Sequence, residues 1–165
     1  MTISESRTAC ASTHFRVQYP NSHPRRIRIF GLGKGGGAIA RIIATRGLAD
    51  VEVVTNDGDV KIDPTDVVAG ITDGARELHL GLQKAEIIFL VAVAGDQVDF
   101  AIVVSRVARE LGKLVTGVLI EKRNASSAES MATVSALRPC VDMLVIGSDE
   151  TFLDEMLGEL GATAP

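Results

Sequence analysis

The stretch Gly31-Leu32-Gly33-Lys34-Gly35-Gly36-Gly37 holds five glycines within seven residues. It lies between the apolar run "RIRIF" and "AIARIIA". Gly31 to Gly36 fits G-x-G-x-x-G between a strand and a helix, the setting that gives the pattern meaning. Residues without Cβ let backbone N–H groups approach a phosphate, and the N-terminal end of a helix favours negative charge. Lys34 would offer that phosphate a cation; the plainer view makes it a solvated loop lysine. The plainer view of the whole loop is a tight strand-to-helix turn without a ligand. Asn56-Asp57-Gly58, a turn signal after the second apolar run, adds Asn56 and Asp57 to the candidate binding set. Asp57 and Asp59 lie a little late for the ribose-binding acid of a dinucleotide unit, but near enough to serve.

Other chemistry-bearing residues are less promising. His14, His23 and His79 share no ligand spacing, and His79 reads as a rim residue beside Leu78 and Leu82. Cys10 and Cys140 are far apart and read as two reduced thiols, Cys140 as a packed one. Asp96 and Asp99, in "VAGDQVDF", read as the cap and the first-turn acid of the following helix. The serines of Asn124–Ser130 have no partnered base and read as a helix-capping loop. No metal site and no catalytic group is expected.

These residues need a frame. Residues 1–24 are polar, contain Pro20 and Pro24, and read as a tail, with "HFRVQY" as a candidate added edge strand. From residue 25 to 165 strands alternate with helices. After the glycines, Ile39, Ile42 and Ile43 form a helical stripe that Gly47 ends. "VEVVT" is a second strand, and a helix beginning near Thr72 carries Ala75, Leu78 and Leu82 on one face. "EIIFLVAVAG" is continuously apolar, as expected of a strand covered on both faces. Phe100, Val103, Val104, Val107, Ala108 and Leu111 mark the next helix, and Gly112 stops it. "LVTGVLI" is a strand, Ser126 to Arg138 a helix, "VDMLVI" the last strand, and Ser148 the expected cap of a final helix. The alternation predicts a three-layer, doubly wound, mostly parallel α/β sheet of Rossmann-like type.

The order of the pieces carries a resemblance. "IFGLGKGGGAIARIIATRGLADVEVVTND", "AEIIFLVA", "VARELGKLVTGVLIEK" and "LRPCVDMLVIGSDETFLDEM" resemble successive segments of the bacterial cell-division GTPase FtsZ, the tubulin relative. The similarity runs from Ile27 to about Gly158. It implies strand order 3-2-1-4-5-6 and a guanine nucleotide on the first glycine loop. The chain departs from the family after its fourth strand, where FtsZ carries a second loop, GGGTGTG, around the outer phosphates. Here Val93–Phe100 keeps one glycine and adds Asp96 and Asp99. At about 4 Å, each carboxylate–phosphate charge pair repels by roughly 4 kcal/mol in a surface-like dielectric. Gly37-Ala38 replace asparagines that help hold the nucleotide, and Arg123–Ser127 replaces the ribose-contacting segment. No counterpart of the central helix, its catalytic loop or the second domain appears before Pro165.

Composition narrows the classes. Hydrophobic residues make up 46% of the 165-residue chain, enough for the core of one domain, and aromatics only 4%. The net charge of −4 argues against a nucleic-acid binder. There is no signal-peptide pattern and no apolar run long enough to span a bilayer, so a cytoplasmic location is expected. The expected function is an FtsZ-like interaction or regulatory module without GTP hydrolysis, with weak nucleotide binding at most. Its expected partner is a second copy or an FtsZ-like protein. The alternatives are a GTP- or other mononucleotide-binding protein and an NAD(P)-type dinucleotide-binding protein.

Overall fold

The computed structural model describes residues 24–56 and 73–162. Five strands and five helices alternate along them: β1 (Ile27–Leu32), α1 (Gly33–Thr45), β2 (Val51–Asn56), α2 (Asp73–Lys84), β3 (Ile87–Val93), α3 (Phe100–Glu110), β4 (Val115–Ile120), α4 (Ser127–Leu137), β5 (Met143–Gly147) and α5 (Thr151–Glu159). All pairings are parallel, in the order β2-β1-β3-β4-β5. The fold is therefore a three-layer α/β sheet of Rossmann-like type. The order 2-1-3-4-5 is common to doubly wound sheets, and the six-strand order 3-2-1-4-5-6 implied by the resemblance has one strand more than the described residues contain.

Apolar residues follow one another in β3, and in β1 apart from Arg28, because both faces of the sheet are covered. Phe30, Leu32, Ile88 and Leu90 meet α2, α3 and α4 on one side. Ile27, Ile29, Phe89 and Val91 meet α1 and α5 on the other. The helical stripes dock as expected, with one change. In α1 the buried face is Gly36, Ile39, Ala40 and Ile43, and Ile42 points outward at 49% exposure. At 3.6 residues per turn these four positions centre on one face, and Ile42 lies roughly a third of a turn round from that centre, toward solvent. Cys140 lies in a short 3-10 turn, Arg138–Cys140, and is buried. Burial raises the pKa of its thiol, because the thiolate would lose its hydration.

One helix end differs from expectation. Ser148 does not cap α5. The carboxylate of Asp149 accepts the Thr151 N–H at 3.0 Å and also the Thr151 hydroxyl. Asp149 has the longer reach to those donors, and these bonds lower its pKa. The α5 residues Leu153 and Leu157 are core, at 0% and 1% exposure, whereas Phe152 lies at the surface. On α4, Ser126 does cap as expected: Glu129 N–H donates to Ser126 Oγ, and the Glu129 carboxylate accepts from Ser126 N–H.

Candidate functional site

The sheet order reverses at β1. From β1 the chain passes through α1 to β2 on one side, then crosses to β3 on the other. In open parallel sheets, ligands bind in the crevice beyond the strand ends at such a point. The glycine loop sits there. Gly31 and Leu32 end β1, and Gly33 begins α1 with φ +62°, a left-handed conformation that an L side chain adopts only at a cost. Asn56 is brought beside the loop, since it pairs with Leu32 at the end of β2. Lys34 is exposed, and Gly36 and Gly37 are buried. Asp57 and Asp59 lie outside the described residues, so the dinucleotide alternative has no described acid at that place.

The crevice already holds an anion, and it belongs to the chain. The carboxylate of Asp96 accepts the Gly35 N–H at 2.9 Å through Oδ1 and the Gly36 N–H at 2.7 Å through Oδ2. Oδ2 also accepts the Val93 N–H at 2.8 Å. These are the short distances of charge-assisted hydrogen bonds. Gly35 and Gly36 lie in the first turn of α1, where N–H groups have no partner within the helix and the dipole favours negative charge. Asp96 thus holds the position a phosphate takes at a helix N-terminus.

A turn aims the side chain. Asp96 N–H donates to Val93 O at 2.9 Å, and Gly95 at the third position of that turn has φ +91°, the geometry of a type II turn. Gly95 N–H donates to Thr133 Oγ1 at 3.0 Å, which ties the turn to α4. Thr133 is buried and donates in turn to Glu129 O. The expectation that Asp96 caps α3 is therefore wrong. Asp99 holds the N-cap position of α3, without a side-chain cap bond, and is exposed. Asp96 caps α1 instead, some sixty residues upstream, because the end of β3 lies next to the end of β1.

Close packing accounts for the glycines. A Cβ on Gly36 would stand 2.1 Å from Val91 O, one on Gly31 2.6 Å from Ala40 Cβ, and one on Gly35 2.7 Å from Val93 Cβ. A Cβ on Gly33 would stand 2.8 Å from Asp96 Cβ. The loop is thus glycine-rich because α1 lies directly on β1 and β3 and because Asp96 fills its mouth. Sequence reasoning placed Asp96 at the phosphate position but missed its direction. The signal available was an aspartate in a glycine turn three residues past a buried strand.

Elsewhere, a cleft of about 590 Å³ between β2 and α2 is lined by charges of both signs, among them Arg28, Glu52, Arg76 and Glu77. Arg28 is buried, forms an ion pair with Glu52 and stands over the Phe30 ring at 5.8 Å. Among the described residues no three His, Cys, Asp or Glu side chains stand together as a metal site would require, and no helix is long and apolar enough to cross a membrane. No protein-family model and no curated protein matches the chain.

Proposed function

We propose that this chain is an FtsZ-like domain in which an internal carboxylate has replaced the nucleotide, and that it works as an interaction or regulatory module without GTP hydrolysis. The observation that carries this is the Asp96 carboxylate on the N–H groups of Gly35, Gly36 and Val93. Those donors would have to serve a phosphate, and a phosphate entering the crevice would meet a fixed negative charge at contact distance. Binding would require Asp96 to leave three hydrogen bonds first. A guanine nucleotide, or a shorter mononucleotide with one phosphate, is thereby disfavoured in the native protein. The FtsZ-like part of this reading rests on the order of the resembling segments in the sequence. A cytoplasmic site of action fits the same reading.

The test is a thermal-shift and calorimetric series with GTP, GDP, GMP, ATP and NAD, with and without magnesium, alongside a phosphate-release assay. We expect no stabilisation and no release above background. A ligand that binds only the native state raises apparent stability by RT ln(1 + [L]/Kd), about 2.7 kcal/mol at a hundredfold excess over Kd. A saturable shift with GTP or GDP that Gly35→Trp abolishes would overturn the proposal.

A further inference from the structure

We infer that α4 and the open edge of β5 form an isologous interface with a second copy of this chain. The inference builds on the interaction-module reading and names the partner. β5 is the last strand of the sheet and pairs only with β4 among the described residues. Natural edge strands are usually blunted by charge, proline or a bulge. Met143-Leu144-Val145-Ile146-Gly147 has no charged residue and no proline. Met143 and Ile146 are 54% and 51% exposed, and Met131 on α4 is 67% exposed. A groove between α4 and β5 is lined by Ser127, Ser130, Met131, Val134 and Ile146, with Glu121 as its one charged lining residue.

Helix α4 is unusual for an outer-layer helix. Glu129 is the one charged residue in Ser127–Leu137, and its carboxylate is engaged by Ser126. Ala128, Met131, Ala132, Ser135 and Ala136 are exposed. The other outer helices carry several charges each, as in Asp73, Arg76, Glu77 and Lys84 of α2, or Asp154, Glu155 and Glu159 of α5. The protein as a whole has a net charge of −4. Two copies of an acidic protein repel over most of their surfaces, and this charge-poor strip, with Glu121 and Glu129 as its carboxylates, is where they meet at least cost.

The strip is also complementary to itself. A two-fold axis at Val145 sets β5 antiparallel to the partner's β5, with Leu144 opposite the partner's Ile146 and both on the α4 side of the sheet. The same axis sets the two α4 helices antiparallel. Glu129, at the N-terminal end of α4, then lies toward the partner's Arg138, at the C-terminal end. A strand about 17 Å long beside a helix about 16 Å long gives a strip of a few hundred Å² per copy. That is below the roughly 800 Å² per partner of standard-size interfaces, so the dimer is a weak one.

Sedimentation velocity on the full chain, over a concentration series reaching hundreds of micromolar, tests this. The expected result is a concentration-dependent dimer that Ile146→Lys and Met131→Glu each weaken roughly tenfold or more, since each change occurs twice in the interface. Ile102→Lys, on an exposed position of α3, is expected to leave it unchanged, and circular dichroism should show all three variants folded. In a Cys10→Ser background, Val145→Cys should form an intermolecular disulfide on mild oxidation. A wild-type chain that stays monomeric throughout, or a dimer indifferent to both Ile146→Lys and Met131→Glu, overturns the inference. Either outcome leaves the reading of the glycine loop standing, whereas nucleotide uptake at that loop would overturn the loop reading and leave this interface untouched.

Discussion

Replacing Asp96 by alanine removes one carboxylate and strands three backbone N–H groups, those of Gly35, Gly36 and Val93. Hydrogen bonds to a charged group contribute about 1.5–3 kcal/mol each. Three taken separately would sum to well above 4 kcal/mol, but they share one carboxylate and Asp96 is only partly buried, so water replaces part of the loss. We therefore expect Asp96→Ala to cost about 2–4 kcal/mol in urea unfolding, and Asp96→Asn, which keeps one acceptor oxygen, less. The vacated cradle should then take a small anion from solution. Acetate, formate or phosphate should restore stability to Asp96→Ala in a saturable way, by about 1.4 kcal/mol at ten times Kd. The wild type should show no such response, and chloride at equal ionic strength serves as the control. An Asp96→Ala protein within about 0.5 kcal/mol of wild type would refute the reasoning, because ordinary surface substitutions lie in that range. So would a variant that responds no more to acetate than to chloride.

Other outcomes follow from the packing and the titrating groups. Gly36→Ala drives a Cβ to 2.1 Å from Val91 O, so α1 must lift from the sheet; a loss of about 3 kcal/mol or more is expected by urea unfolding. Gly158→Ala, within α5 and with nothing in reach of its Cβ, should instead stabilise by about 0.5–1 kcal/mol in the same assay. Leu157→Asp puts a carboxylate in the core and should abolish cooperative unfolding, which calorimetry will show. The Ser126 backbone N–H and then its hydroxyl hold Glu129 below the usual glutamate range. That contribution is full above the ordinary glutamate pKa and is lost as pH falls through the lowered one, so Ser126→Ala should flatten the acid limb of the stability–pH curve. Burial raises the Cys140 thiol, so its contribution is full below the ordinary thiol pKa and fades as pH rises through the raised value. Alkylation read at Cys140 by mass spectrometry should require denaturant.

The strands and helices were legible because both covered faces leave a plain record. β3 is continuously apolar, β1 is apolar apart from Arg28, and the Phe100–Leu111 stripe repeats at helical spacing over three turns. What the pattern left open was decided by distance in space. The i, i+3, i+4 spacing put Ile42 in the stripe, but the docked face of α1 centres on Gly36, Ala40 and Ile43 and leaves Ile42 outward. The glycine loop was legible as a loop, and its occupant was not. Local rules gave Asp96 to the helix that follows it, whereas the parallel pairing of β1 with β3 hands it the unpaired N–H groups of α1, which no sequence-local rule sees. Ser148 lost the α5 cap for a similar reason of reach, since the longer Asp149 side chain meets Thr151 first.

The most direct measurement is the two-dimensional NMR spectrum of the amides of Gly35 and Gly36. With Asp96 seated, both N–H groups should exchange slowly with solvent and should not shift when GTP, GDP or phosphate is added to the native protein. In Asp96→Ala they should exchange faster and move on addition of phosphate or acetate. Saturable shifts of the Gly35 and Gly36 amides on adding GTP to the wild type would contradict the account, because the nucleotide would then be displacing the carboxylate said to take its place.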